Sequence, residues 1–201
     1  MPAQNSKPAD LPEGFAYRPE VLTNEEDAAL LRKLRDLPFH AFDFHGYLAR
    51  RRLVEYGFEY DFSSRQASIT EPIPDFLQTF QERAAAWALL DVSEIVEAVI
   101  TEYSEGTPIG WHRDIPRFEE IIGISLNASC RMRFKPYRAD GNITSIVLEP
   151  RSAYVMRGPV RWNFQHSIPP VKALRYSITF RTARRKVTAR LKKPDRAVRS
   201  L

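Results

Sequence analysis

The chain has 201 residues, of which 43% are hydrophobic, and this length and composition predict one globular domain with a sizeable core. The net charge of +5 is concentrated in residues 183–201, where eight Lys or Arg and one Asp give +7; the remaining 22 basic and 24 acidic residues exclude a uniformly basic nucleic-acid binder. The single cysteine excludes an internal disulfide, and no apolar run approaches the roughly 18 residues of a membrane helix. We therefore expect a cytoplasmic protein without membrane contact, in which Cys130 is a buried thiol.

The N-terminal half contains two predicted helices. Residues 1–13, rich in proline and polar residues, predict a disordered lead-in, and the alternation over 14–22 predicts a strand. Thr23 and Glu26 have the spacing of a capping box, which predicts a helix that ends before Pro38. A second helix is predicted over 74–90, because Pro74 suits a first helical position and the apolar residues that follow form one stripe.

Beyond the second helix the pattern changes to short strands separated by Gly and Pro. We predict strands at 95–103, 119–126, 131–137, 143–148, 153–156, 161–166 and 174–182. Helices followed by such strands indicate an α+β protein with a sandwich or barrel, as a single domain over 14–182. Residues 183–201 form a basic tail, either an arm for phosphates or a solubilising end.

Three residues predict a metal site. In an extended chain His112 and Asp114 point to the same side, so that an imidazole and a carboxylate can reach one ion. The distant His166 completes two histidines and one carboxylate, the facial arrangement of non-haem Fe(II) oxygenases, which leaves positions open for a co-substrate and O₂.

The strand around 175–181 predicts a site for a small anion. Its period of two places Arg175, Ser177, Thr179 and Arg181 on one face, away from the apolar residues between them. Two guanidinium groups aimed at one space suit a carboxylate-bearing co-substrate.

The chain resembles the AlkB family of Fe(II)/2-oxoglutarate dioxygenases in a pattern within residues 52–182: Tyr103, His112, Asp114, His166, Arg175, Thr179 and Arg181. The resemblance implies a double-stranded β-helix, a jelly-roll core flanked by the two predicted helices. It also implies iron on His112, Asp114 and His166. The residues that it implies for 2-oxoglutarate, with Ser177 added from the same strand face, are Tyr103, Arg175, Ser177, Thr179 and Arg181.

The sequence departs from the family pattern at three positions. Thr101 and Ser177 stand where many or some members carry Asn, and Pro116 stands where some members use an acid to read the alkylated base. Proline has no side-chain acceptor, so Pro116 cannot read a base in this way.

Candidate substrate-binding residues come from two regions. Arg52, Tyr56 and Tyr60 lie in an aromatic and basic segment that is similar to the family's substrate lid, although an aromatic hairpin packed on the core is the alternative. Trp162 is a further candidate, whereas Trp111 is expected to pack. The cationic alternation of Arg131, Arg133 and Lys135 predicts either a solvated strand face or a nucleic-acid contact.

Three hypotheses follow. The first is a dealkylase of N-alkylated nucleic-acid bases that binds DNA or RNA and releases formaldehyde, succinate and CO₂. The second, motivated by Pro116, is an AlkB-like hydroxylase or demethylase of a protein or small molecule. The third is a non-catalytic nucleic-acid-binding β domain, which leaves the complete ligand set to coincidence.

Overall fold

This computed structural model describes the backbone of residues 11–44, 47–61, 66–69 and 71–184, and the side chains of 11–41, 50–58 and 71–184. The predicted lead-in up to residue 10 and the basic tail from residue 185 lie outside the described residues.

Three α-helices are present in the described part of the chain: α1 (Asn24–Arg35), α2 (Gln78–Ala88) and α3 (Pro159–Asn163). The predicted capping box starts α1, since Thr23 Oγ1 accepts from the Glu26 amide at 3.2 Å and Glu26 Oε2 accepts from the Thr23 amide at 2.9 Å. The second helix begins with a 3₁₀ turn (Asp75–Leu77) and ends at Leu89, which has a left-handed φ of 57°. None of the helices described is long and apolar enough to cross a membrane.

Thirteen strands are described, and they form three antiparallel sheets. The strands are β1 (Phe15–Arg18), β2 (His40–Phe44), β3 (Tyr47–Tyr56), β4 (Phe58–Asp61), β5 (Gln66–Ile69), β6 (Ile95–Tyr103), β7 (Ile109–His112), β8 (Phe118–Leu126), β9 (Cys130–Pro136), β10 (Thr144–Leu148), β11 (Ser152–Met156), β12 (Phe164–Ile168) and β13 (Arg175–Ala183). The major sheet has the order β1-β11-β8-β13-β6-β3-β2, the minor sheet β10-β9-β12-β7, and β4 pairs with β5. The predicted α+β class with a double-stranded β-helix core is confirmed.

One prediction of local structure was wrong. The predicted strand at 161–166 is the short helix α3 followed by β12, because Gly158 takes a positive φ of 53° and Pro159 occupies the first helical position. The aromatic segment at 39–60 contributes β2 and β3 to the major sheet, where β3 pairs with β6. The register of β3 therefore decides which of its side chains face the interior between the sheets.

The major sheet has a different core on each of its faces. On one face Leu30 and Leu34 of α1 and Ala84 and Ala88 of α2 pack against buried residues of β3, β6, β8, β11 and β13. The opposite face meets the minor sheet in a second apolar cluster, which includes Phe134. The two clusters hold the major sheet as a wall, on which side chains that point between the sheets have fixed positions.

Gly123 in the middle of β8 makes room for an aromatic ring. A Cβ atom at this position would collide with the ring of Tyr154, which lies directly across the sheet on β11. The absence of a side chain at Gly123 therefore lets the ring of Tyr154 pack over this position, where it contributes to the cavity described below.

Candidate functional site

The three predicted metal ligands meet at the edge of the minor sheet. His112 on β7 lies directly opposite His166 on β12, with 4.2 Å between the ring centroids. Asp114 follows β7 by two residues, and its Oδ2 lies 3.6 Å from His166 Nε2. One ligand atom from each residue lies within 4.8 Å of the other two, so these atoms can bind one metal ion together.

The protonation of these residues suits a divalent metal. Burial lowers the pKa of His112, and burial with the neighbouring His112 lowers the pKa of His166 to about 3. Burial by itself raises the pKa of Asp114, but His166 and Arg181 outweigh it and hold this pKa well below its usual value. Two neutral imidazoles and an ionised carboxylate are the forms that bind a metal.

The hydrogen bonds of His112 and Asp114 also leave one ligand atom of each residue available for an ion. His112 Nδ1 lies 2.9 Å from the carbonyl oxygen of Gly110, which orients the ring and leaves Nε2 free. The buried Asp114 Oδ2 has no hydrogen-bond partner among the described residues. A buried carboxylate oxygen without a donor is destabilising unless a cation binds it, so the donor set fits a metal.

Arg181 connects the metal ligands to the major sheet. Its Nη2 donates to Asp114 Oδ1 at 3.1 Å, and its Nη1 donates to Glu97 Oε2 at 2.6 Å. Glu97 is fully buried and lies opposite Arg181 across β6 and β13. Burial raises the pKa of Glu97 and Arg181 opposes this rise, while Glu97 and Asp114 together raise the pKa of Arg181 against the effect of its own burial.

Arg175, at the start of β13, is the largest buried side chain that points between the sheets. Its Nε donates to Ser125 Oγ at 3.2 Å, and its guanidinium carbon lies 5.0 Å from the ring centroid of Tyr103. Its Nη1 is buried and has no hydrogen-bond partner among the described residues. An oriented guanidinium with a free donor is suited to bind a carboxylate.

These groups open into one cavity of about 580 Å³ between the two sheets. Five arginines and two acids contribute to its wall together with aromatic and aliphatic side chains. The charged residues of the wall are Arg50, Arg51, Glu55, Arg113, Asp114, Arg175 and Arg181. All eight predicted metal and co-substrate residues line this cavity: Tyr103, His112, Asp114, His166, Arg175, Ser177, Thr179 and Arg181.

The predicted substrate role of Arg52 and Tyr56 needs correction. Both point to the face of the major sheet that the helices cover: Arg52 pairs with Glu102 at 2.7 Å, and Tyr56 is buried in the core. Successive residues of a strand face opposite sides, so that the neighbouring Arg51 and Glu55 reach the cavity instead.

Neither Trp162 nor Trp111 has the position that was expected of it. Trp162 does not line the cavity: its indole donates to Glu119, and its ring contacts the guanidinium groups of Arg161 and Arg184. Trp111, which was expected only to pack, is part of the cavity wall. The side chain of Tyr60 lies outside the described residues.

Sequence reasoning missed Glu97 and Glu55, and from the basic triplet at 50–52 it chose Arg52 instead of Arg51 as a candidate. The sequence of β6 gave a weak signal for Glu97, since an acid in a largely apolar strand is rarely buried without a partner. The period of two also separates Arg51 and Glu55 from Arg52, but it does not show which set faces inward.

Comparisons with known proteins agree with this geometry. A family model described as the 2OG-Fe(II) oxygenase superfamily matches residues 14–190. The chain is 25% identical over 186 residues to an uncharacterized protein of Acanthamoeba polyphaga mimivirus, with 84% of each chain covered. It is 27% identical over 171 residues to the tRNA (carboxymethyluridine(34)-5-O)-methyltransferase ALKBH8 of Macaca fascicularis, a match that covers 81% of this chain and 25% of that protein.

Two solved structures have the same fold. OsALKBH1 has a TM-score of 0.64 at 16% sequence identity, covering 86% of this chain and 98% of that one. A prolyl-4-hydroxylase of Pseudomonas putida has a TM-score of 0.59 at 14% identity, covering 85% and 93%. The chain spans about a quarter of the length of ALKBH8, so the similarity concerns one part of that protein.

The buried ion pair generates a prediction about stability. Replacing Glu97 with Gln leaves the Arg181 guanidinium buried with one carboxylate instead of two, which we expect to lower the free energy of unfolding by about 3 kcal/mol. The measurement is urea denaturation. Glu20→Gln is the matched control, because the Glu20–Arg151 pair is largely exposed on the acid's side, and we expect a change below about 1 kcal/mol there. Equal losses in the two variants would contradict the assignment.

Proposed function

The chain belongs to the 2OG-Fe(II) oxygenase superfamily, and we propose that its reaction is the oxidative dealkylation of N-alkylated nucleic-acid bases. The chain is an AlkB-like enzyme that uses Fe(II) and 2-oxoglutarate. The observation that supports a nucleic-acid substrate is the wall of the cavity, which contains Arg50, Arg51 and Arg113 together with the metal ligands. Arginine forks bind phosphate well, and a polymer of phosphates needs several of them.

The residues divide into two sets by the group that each would hold. His112, Asp114 and His166 would hold the iron. Arg175 would bind the far carboxylate of 2-oxoglutarate with its free Nη1, supported by the Tyr103 hydroxyl and by the hydroxyls of Ser177 and Thr179, all of which line the same wall. When both are bound, iron and 2-oxoglutarate supply the oxidation of a C–H bond by O₂, with succinate and CO₂ as co-products.

The chain's own part in the reaction is orientation and the exclusion of water. Arg181 donates to Asp114 and fixes its carboxylate, and the Gly110 carbonyl fixes the ring of His112. Aliphatic and aromatic residues close the cavity around these groups: Leu53, Val99, Ile121, Met132, Tyr154, Met156 and Ile168. An N-methyl group that is hydroxylated there becomes a hydroxymethyl group, which is lost as formaldehyde.

The acidic side chain that some family members have at the position of Pro116 could be supplied here by Glu55. Pro116 does not line the cavity, whereas the Glu55 side chain does, from β3. Many N-alkylated bases carry a positive charge, and a carboxylate in a partly apolar cavity favours a cation. We propose that Glu55 contacts the alkylated base.

The alternatives differ in their support. A non-catalytic β domain does not agree with the family and the assembled triad. A protein or small-molecule substrate is the remaining alternative, and the likeness to a prolyl-4-hydroxylase does not favour it, because at 14% identity that likeness shows the fold alone.

The direct test is formaldehyde release. Purified protein with Fe(II) and 2-oxoglutarate is incubated with N-methylated single-stranded DNA, RNA and tRNA, the last because the name of ALKBH8 refers to tRNA. We expect formaldehyde and succinate in equal amounts from at least one polymer, and neither from the Asp114→Ala variant, which lacks a metal ligand. Succinate formation without formaldehyde from any nucleic acid, but with hydroxylation of a peptide or metabolite, would reject the proposal.

Arg175 should be irreplaceable by lysine. Loss of a buried Arg–carboxylate pair costs on the order of 2–5 kcal/mol, and lysine lacks the planar fork in which Nε donates to Ser125 Oγ while a separate nitrogen faces the carboxylate. We expect both Arg175→Lys and Arg175→Ala to weaken 2-oxoglutarate binding at least about thirtyfold in anaerobic titrations. Wild-type affinity in Arg175→Lys would show that a point charge suffices.

Glu55 should affect selectivity among bases. In the Glu55→Gln variant we expect dealkylation of cationic N-methylated bases to fall at least about tenfold in kcat/KM, because the favourable charge interaction is lost. Neutral N-methylated bases should be affected less. Glu71→Gln is the control, since Glu71 is an exposed acid that does not line the cavity. Equal effects on cationic and neutral bases would contradict the role of Glu55.

A further inference from the structure

The outer face of the minor sheet carries a row of cations along β9. Arg131, Arg133 and Lys135 alternate with the buried Met132 and Phe134, so that the three charged side chains point away from the core. Alternate residues of a strand lie about 7 Å apart, and the row is therefore about 13 Å long.

No acid compensates these charges within the described part of the chain. Arg131 Nη1 donates to Ser145 Oγ and Arg133 Nε donates to Ser167 Oγ, both at 3.1 Å, and both acceptors are neutral. Neither these two arginines nor Lys135 forms an ion pair with a described residue, and the four strands of the minor sheet contain no Asp or Glu. The face therefore has a local positive potential, although the chain outside 183–201 carries a net charge of −2.

The row adjoins the wall of the cavity. The ring centroid of Trp111 lies 4.9 Å from the guanidinium carbon of Arg133 and 4.7 Å from Lys135 Nζ, and Trp111 also lines the cavity. Arg113 lines it as well and stacks on Tyr137, just beyond the end of β9, at 3.7 Å. Cations and aromatic rings thus lead from the sheet face to the site beside the metal ligands.

We propose that this cationic face, defined by Arg131, Arg133, Lys135 and Trp111, binds the phosphate backbone of a single-stranded nucleic acid while one of its bases occupies the cavity. The inference rests on the proposed function and adds where the polymer lies. Arginine and lysine spaced along a strand match a regular chain of phosphates, and an aromatic ring among cations is typical of sites that bind single strands. A single strand is favoured because its bases enter a cavity without unpairing a duplex.

The experiment compares two triple variants of the full-length protein with the same change in charge. Binding of a fluorescent single-stranded oligonucleotide is measured against salt concentration for the wild type and for the surface variant Arg131→Gln/Arg133→Gln/Lys135→Gln. The control variant removes two arginines and one lysine from the exposed last turn of α1, and it is Arg32→Gln/Lys33→Gln/Arg35→Gln.

We expect the surface variant to lower the slope of log affinity against log salt by about 2, since each phosphate contact of a single strand contributes about 0.7. At physiological ionic strength its affinity should fall roughly tenfold or more, with the control close to the wild type. Thermal melting shows whether the surface variant is folded. Should it melt lower, Arg131→Gln alone, at an exposed position, is expected to lower the slope by about 0.7.

The outcomes separate the two proposals. One outcome is that the wild type binds oligonucleotides and releases formaldehyde while the surface variant keeps the wild-type slope of log affinity against log salt. The proposed role of the cationic face is then rejected, and the proposed function stands. A wild type that binds no nucleic acid overturns both. If a glutamate-rich peptide binds the wild type as tightly as the oligonucleotide and loses affinity equally in the surface variant, the face is a site for acidic polymers in general and the assignment to nucleic acid is overturned.

Discussion

The site depends on one buried guanidinium, that of Arg181, which is shared between two carboxylates. A charged group in the interior is stable only if its charge is matched, and Glu97 and Asp114 match it from two different sides. The two ion pairs of Arg181 join β6 and β13 of the major sheet to the segment that follows β7 of the minor sheet. Together with His166, the contact with Arg181 lowers the pKa of Asp114, so that the geometry of the metal ligands is coupled to the packing of the two sheets.

The two faces of β13 show how a single strand serves stability and function together. Tyr176, Ile178 and Phe180 pack under the helices, in the core that anchors the major sheet, while the residues between them point into the cavity. Arg175 is almost completely buried, yet one of its donors is free. The apolar face therefore holds the strand rigidly enough for a polar side chain to be positioned before any ligand binds, which reduces the entropy that binding costs.

Local charge and total charge disagree in this molecule. Outside the basic tail the chain carries a small negative charge, but its acids are concentrated elsewhere, for example in the first turn of α1 with Glu25, Glu26 and Asp27. The minor sheet has no acid on any of its strands and presents Arg131, Arg133 and Lys135 beside the cavity. A sum over the sequence averages these regions, whereas a ligand meets only the potential of one face.

The sequence by itself determined the features that depend on local periodicity and spacing. The capping box of α1, the His112 and Asp114 pair and the two faces of β13 follow from the geometry of a helix or a strand, and each is found in the structure as predicted. Only the tertiary structure decided which face of β3 points inward. It placed Arg51 and Glu55 in the cavity wall, and Arg52 and Tyr56 on the opposite face of the sheet. Both faces of β3 mix polar and apolar residues, so the pattern alone was ambiguous; the choice was made by pairing with β6 and by the helices that cover one side of the sheet. Glu97 likewise became interpretable only when β13 placed Arg181 opposite it, because the partner of a buried charge is a neighbour in space and not in sequence.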